Sequence, residues 1–148
     1  MSNRSDAPLL CPSAQPEMPG SRIFGVMGGT ADEPQLGYLD EPTAATPELL
    51  ALAEPVKPTE VFRLAAPCVE HACCHFDGHD CRLAARIVQH LAAATAALPP
   101  CRIRRDCRWF RQEGGAACLR CPQVITHNCN PSDDMVRAAM PAPDQPAM

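Results

Sequence analysis

CRIRRDCRWFRQEGGAACLRCPQ, residues 101–123, carries the strongest structural pattern of the 148-residue chain. Its four cysteines are separated by five, ten and two residues and are Cys101, Cys107, Cys118 and Cys121. The last two form a C-x-x-C pair, a spacing that lets two sulfurs approach one metal ion or cluster. Because the thiolate form of cysteine binds soft metals, we predict a metal site with these four ligands.

A second cysteine set lies upstream and has histidines interleaved with it. Its cysteines are Cys68, Cys73, Cys74 and Cys81. We expect a second site to use Cys68, Cys74 and Cys81, with Cys73 or His75 as the fourth ligand. Cys81 is expected at the first position of a long helix, where unpaired N–H groups favour an ionised sulfur.

The ten cysteines are unevenly distributed along the chain. Nine of them lie between positions 68 and 129, a density that indicates cross-linking by metal ions or by disulfides. The two sets account for eight of the nine, and Cys129 follows them without a role of its own. Cys11 stands apart in the N-terminal stretch, and we assign it no role.

The spacing of the cysteines between positions 101 and 121 bears on the identity of the metal. Structural zinc usually takes two close ligand pairs, whereas residues 101–121 contain only one. Iron–sulfur clusters are wider than a single ion and accept ligands from irregularly spaced loops, although neither common ferredoxin spacing occurs here. We therefore expect an iron–sulfur cluster, with zinc as the alternative. A disulfide framework in an exported protein is a third, less favoured interpretation.

An arginine-rich segment with the only tryptophan surrounds these cysteines. Six arginines against two acidic residues leave a charge of +4 between positions 101 and 121. We expect partner-binding residues here, namely Arg105, Arg108, Trp109 and Arg111, because arginine and tryptophan are favoured in protein interfaces. A competing interpretation makes Trp109 an apolar lid over a metal site. Nucleic acid is not favoured as the partner, because no standard binding signature occurs.

Several regular elements are predicted from local patterns. Short strands are expected at 22–29 and near 36–39, and a helix is expected after Thr46, which would act as its N-cap. Residues 61–66 fit either a helix or an extended segment. Helices are further expected at 81–98, 105–113, 116–121 and 133–140, the first of them from its helical spacing of apolar residues.

The composition suggests a limited core. The chain has six aromatic residues and 17 prolines, so it buries little apolar area per residue and needs a staple. We predict a small, mainly α, irregular, metal-stapled domain with Pro-rich arms of low regularity. The expected division is an acidic Pro-rich arm over 1–59, a cysteine-rich metal-binding domain over 60–129 and a disordered tail over 130–148.

These features predict a cytoplasmic metal-binding accessory protein that acts in electron transfer or in docking to a partner protein. The alternative is a zinc-stapled adaptor module that binds a protein or nucleic acid through the arginine and tryptophan residues. No run of about 18 apolar residues and no export signal is apparent, so we expect no membrane association. Common catalytic motifs are missing from the sequence, and an enzyme is not favoured.

Overall fold

The computed structural model describes residues 9–29, 34–126 and 133–139. Its central element is a four-stranded antiparallel sheet in the spatial order β1-β4-β2-β3. The strands are β1 (Leu10–Cys11), β2 (Arg22–Gly29), β3 (Pro34–Ala44) and β4 (Phe62–Pro67). β4 lies inside the sheet, and five of its six side chains are buried. The sheet spans the predicted boundary between residues 59 and 60, because β4 pairs with both β1 and β2.

Short helices connect and flank the strands. They are α1 (Pro47–Leu50), α2 (Pro58–Val61), α3 (Arg82–His90), α4 (Arg108–Glu113), α5 (Gly115–Arg120) and α6 (Asp133–Ala139). Single 3₁₀ turns occupy Ala51–Ala53, Glu70–Ala72, Arg104–Asp106 and Cys121–Gln123. The predicted N-cap is confirmed, since Thr46 Oγ1 accepts the Leu49 N–H at 3.3 Å.

Helix α3 is shorter than the 81–98 expected from periodicity. It ends at His90, and Leu91 is already extended. The Leu91 carbonyl accepts the Arg120 Nε–H at 2.7 Å, and the Ala94 N–H donates to the Leu119 carbonyl at 2.7 Å. The chain after α3 therefore bonds to α5 rather than to its own preceding turn.

The predicted fold class is wrong. The protein is a mixed α/β domain with an antiparallel sheet, and residues 10–44 form three strands rather than an arm of low regularity. Within the described residues, no group of three or more His, Cys, Asp or Glu side chains is arranged to hold a metal ion. The prediction failed because it took helices from local periodicity and could not detect pairing between distant strands. The described part of the chain contains no helix long and apolar enough to cross a membrane.

Three apolar clusters hold the sheet and helices together. The helical cluster centres on Trp109 and includes Ile87 and Leu91 of the α3 region. A second cluster packs β4 and β2 through Leu64 and Ile23, and a third joins both strands to residues 101–103. Burial of such side chains stabilises a fold by about 1.5–3 kcal/mol for each large apolar group. The three clusters thus provide buried apolar contacts that the composition did not lead us to expect.

A close approach between β2 and β3 requires a glycine. A Cβ atom built on Gly25 would lie 2.6 Å from Leu36 Cδ1 and 3.1 Å from the Gly37 carbonyl oxygen. Leu36 is buried in the third cluster, so it has little room to move. A Cβ atom built on Gly28 of the same strand would lie 3.7 Å from its nearest neighbour, the Gln35 carbonyl oxygen, which is an ordinary contact.

The substitution Gly25→Ala is expected to lower the free energy of unfolding by about 1–3 kcal/mol, because the added methyl group overpacks the core. Urea unfolding followed by circular dichroism measures this change. The matched control is Gly28→Ala, for which we expect a change within about 0.5 kcal/mol. Equal losses in the two variants would contradict the close approach.

Candidate functional site

The four cysteines of residues 101–121 line one small cavity. Cys107 is the N-cap of α4, Cys118 lies within α5, and Cys121 follows α5 directly, so the turn at Gly114 between the two helices brings them together. Cys101 approaches from the preceding segment, and the cavity that all four border has a volume of about 20 Å³. The predicted ligand set is thus one spatial group, which we name the small-cavity cysteines.

The walls of this cavity are apolar and aromatic. Phe24, Tyr38 and Trp109 line it together with the thiols. Burial raises the pKa of Cys107, and the neighbouring Cys121 adds to that effect. Burial likewise raises the pKa of Cys101, again with a contribution from Cys121. Cys101 and Cys107 are consequently close enough to Cys121 for a thiolate there to oppose their ionisation, and burial keeps these two thiols neutral.

A buried arginine contacts this group. The side chain of Arg63, on β4, is fully buried and donates five hydrogen bonds. Four go to the backbone carbonyls of Pro12, Cys121 and Val124, and the fifth joins Arg63 Nη2 to Cys121 Sγ at 3.1 Å. Its guanidinium also lies over the rings of Phe24 and Trp109. Among the described residues no carboxylate neutralises it, and the Cys121 sulfur is its one ionisable partner.

A second polar group at the small cavity has no partner in the described part of the chain. The hydroxyl of Tyr38 is buried and makes no hydrogen bond there. Burial raises the pKa of Tyr38, with Cys121 as the next contribution, so the hydroxyl keeps its proton. A buried unpaired donor costs about 1–3 kcal/mol. The Tyr38 hydroxyl shares the small cavity with four thiols, and a thiol that ionises becomes a hydrogen-bond acceptor.

The upstream cysteines border a second and larger cavity. Cys68, Cys73 and Cys81 line a space of about 590 Å³, and they are joined there by Cys11. Cys74, which we expected as a ligand, is exposed and is not among the lining residues. Cys11 reaches the cavity because β1 pairs with β4, placing Cys11 opposite Ala66. The four lining cysteines are named the large-cavity cysteines below.

His75 also lines the large cavity, but its ring is already bonded. Its Nδ1 lies 2.7 Å from Arg86 Nη2, and since arginine only donates, Nδ1 accepts and Nε2 carries the proton. Burial and the Arg86 charge lower the pKa of His75, which keeps the ring neutral. The Nδ1 atom of His75 is therefore occupied by its hydrogen bond with Arg86 and is not a free ring nitrogen.

The expected partner-binding residues fall in two different environments. Arg105 and Arg111 are exposed, and Arg111 Nη1 donates to the Arg105 carbonyl at 3.1 Å. Arg108 and Trp109 are buried, with 7% and 2% of their surface exposed. Arg108 pairs with Glu70 at 2.6 Å, and its side chain lines the large cavity. The structure therefore places two of the four on the surface.

All nine cysteines in the described part of the chain are free thiols. Each set borders a cavity, and, as stated above, neither converges on a point where one metal ion would be held. Cys129 lies outside the described residues.

Sequence reasoning missed three residues at these sites, namely Cys11, Tyr38 and Arg63. Cys11 is isolated between two prolines, and nothing local indicates that it pairs beside β4. Arg63 occurs in the otherwise apolar run Val61–Pro67, and a charged residue inside a buried strand is a usable indication of a polar role. Comparison with protein-family models, curated proteins and solved structures finds no match to this chain.

Proposed function

We propose that this protein is an iron–sulfur protein that carries a cluster on Cys101, Cys107, Cys118 and Cys121 and passes single electrons to a partner protein. The observation that carries the proposal is the gathering of all four cysteines around one apolar cavity beside a buried arginine. Cysteine thiolates in an apolar pocket with N–H donors are the usual environment of such clusters.

The electrostatics of the small cavity favour an anionic occupant. A cluster held by four thiolates is negatively charged, and the Arg63 guanidinium has no described carboxylate to offset its own charge. The unpaired Tyr38 hydroxyl would gain a sulfur acceptor. Since a buried charge is costly unless it is paired, both groups are better satisfied with a cluster present.

The arrangement favours a cluster over mononuclear zinc. Four thiolates at about 2.3 Å from one zinc ion must have their sulfurs about 3.8 Å apart. No described group of three or more ligands meets the requirement for a single ion. A cluster places irons and sulfides between its ligands, so thiols that border a cavity suit it better. Loading would widen the space of about 20 Å³ that lies between them now.

The redox step transfers one electron and no atoms. A one-electron protein reductant, such as a reduced flavoprotein, reduces the cluster by one charge unit, and the cluster returns that electron to an acceptor protein. Arg105 and Arg111 are exposed close to the cysteine segment and would attract an acidic partner. We place the protein in the cytoplasm, where thiols remain reduced.

The test is anaerobic purification of the full chain, followed by assays of iron, sulfide, zinc and free thiols. We expect a brown protein with equal iron and sulfide, whose absorption bleaches with dithionite. The double variant Cys118→Ser, Cys121→Ser should lose about four irons and four sulfides relative to the unsubstituted chain, the content of one cluster. Its far-ultraviolet circular dichroism should be preserved, because the apolar clusters hold the fold.

The matched control is Cys74→Ser, because Cys74 is exposed and lines neither cavity. Its iron content should equal that of the unsubstituted chain. Stoichiometric zinc without sulfide would overturn the proposal in favour of a zinc adaptor. Absence of both metals and of free thiols would indicate a disulfide-rich protein. Undiminished iron in the double variant would reject these ligands.

A further inference from the structure

We infer that the large cavity is a second iron–sulfur site, and that its four ligands are Cys11, Cys68, Cys73 and Cys81. The inference rests on the proposed function for the type of cofactor, but its ligands and its cavity are separate from those of the small-cavity cysteines. It assigns a role to the N-terminal cysteine and removes Cys74 and His75 from the ligand set.

Backbone pairing brings the four thiols to one place. The Cys68 N–H donates to the Leu9 carbonyl at 2.8 Å, so the segment carrying Cys11 is bonded directly beside Cys68. A bridge between Phe76 and Cys81 folds the 68–81 segment back on itself. Cys11, Cys68, Cys73 and Cys81 all line the same cavity.

The other ligand candidates are worse placed. Cys74 is exposed and does not line the cavity. His75 has its Nδ1 occupied by Arg86 and its Nε2 protonated, so ligation would require the loss of that hydrogen bond or of that proton. Cys73 lines the cavity, and its sulfur accepts the His75 backbone N–H at 3.4 Å. The two neighbouring cysteines therefore have different roles.

Arg108 is a buried cation that lines the large cavity, and one of its N–H donors is unpaired within the described part of the chain. Arg108 is 7% exposed, and its Nε–H has no hydrogen-bond partner among the described residues. Its Nη2 pairs with Glu70, whose side chain is half exposed. An unsatisfied N–H on a buried guanidinium is costly, and it points to an anionic acceptor inside the cavity. Cluster sulfides and thiolate sulfurs are acceptors of this kind.

The size of the cavity also fits an occupant larger than a few water molecules. Its volume of about 590 Å³ corresponds to roughly 20 waters at about 30 Å³ each, yet most of its wall is apolar. Val124, Leu83 and Ile87 contribute to that wall. Such a wall would limit the contact of a cluster with water. In assembly from two ferrous ions, two ferric ions and four sulfides, the four thiols release four protons and form four iron–sulfur bonds, with no change of oxidation state.

Trp109 lines both cavities. Two clusters would therefore both lie beside the Trp109 side chain. An electron accepted by one cluster could then pass to the other. The second site thus extends the proposed carrier into a two-cluster relay within one domain.

The test uses the full chain in four forms, each reconstituted anaerobically with equal amounts of ferrous and ferric iron and with sulfide. The starting form is Cys118→Ser, Cys121→Ser, in which any remaining cluster belongs to the large cavity. We expect about four irons in this form. Adding Cys11→Ser should remove at least half of them and alter the electron paramagnetic resonance spectrum, whereas adding Cys74→Ser should change neither. The fourth form carries Cys11→Ser alone.

Each outcome separates the two proposals. No iron in the starting form, with one cluster in the unsubstituted chain, would overturn the second site and leave the proposed function intact. The starting form could keep as much iron as the unsubstituted chain, while the single variant Cys11→Ser loses iron. That result would support the large-cavity site and overturn the assignment of a cluster to the small cavity. If adding Cys74→Ser removed iron and adding Cys11→Ser did not, the ligand set proposed for the large cavity would be rejected. A co-purifying organic molecule in an iron-free chain would overturn both. Circular dichroism of the metal-free variants checks that each one folds.

Discussion

Replacing Arg63 by methionine is expected to lower the free energy of unfolding by about 3–5 kcal/mol. The guanidinium ties β4 to two separate segments, through the Pro12 carbonyl on one side and those of Cys121 and Val124 on the other. Without it, the Pro12 and Val124 carbonyls lose the donors named above, whereas the Cys121 carbonyl keeps the Val124 N–H at 3.0 Å. Each unsatisfied buried group costs about 1–3 kcal/mol. Denaturant unfolding monitored by tryptophan fluorescence measures the change.

Two further variants make this result specific. Arg63→Lys keeps the charge but not the planar fork of donors, so we expect it to recover less than half of the loss. Arg105→Met removes an exposed arginine and should change stability by no more than about 0.5 kcal/mol. A stable Arg63→Met protein would show that the three carbonyls find other donors, which would contradict the role given to Arg63.

Replacing Trp109 by alanine is the second large effect that we expect, again about 3–5 kcal/mol of lost stability. Trp109 is 2% exposed and packs in the helical cluster with Ile87 and Leu91. Its ring also lies beneath the Arg63 guanidinium, 5.7 Å from the ring centre. The substitution removes the largest buried apolar side chain of the described residues, one that lines both cavities. Thermal unfolding, with the midpoint compared between variants, measures the change.

The conservative variant for this position is Trp109→Phe. A phenylalanine retains an aromatic face for Arg63 and most of the buried area, so the loss should be clearly smaller than for alanine. If Trp109→Ala and Trp109→Phe were both as stable as the unsubstituted chain, Trp109 would not be part of the core. Such a result would also favour the interpretation of Trp109 as a surface residue for partner binding.

Individual elements were predicted well from the sequence. The strand at 22–29 is confirmed as β2, and the helices expected at 105–113 and 116–121 correspond to α4 and α5. Such elements depend on local patterns, such as the N-cap hydroxyl of Thr46 and the turn at Gly114, whose φ of 72° favours glycine. For the same reason the two cysteine sets could be separated from spacing alone.

The assembly of these elements could not be predicted. The pairing of β1 with β4 joins residues far apart in sequence, and a two-residue strand leaves no periodicity to detect. The local pattern of residues 61–66 fitted a helix as well as the strand that they form. The choice depends on the neighbouring strands, which a local pattern does not contain. Cys11 was assigned no role because its position beside the large cavity depends on that pairing. The local sequence also does not distinguish Cys73, which lines the cavity, from Cys74, which is exposed.

The antiparallel pairing of β1 with β4 also has a consequence for biosynthesis. Cys11 leaves the ribosome early, whereas the strand that positions it and the helix α6 that helps to close the large cavity are made much later. A nascent chain consequently exposes Cys11 to oxidants and to stray metal ions before any of its neighbours exist. Under the proposed second site, insertion of the cluster would follow synthesis of α6, and Cys11 would have to stay reduced until then.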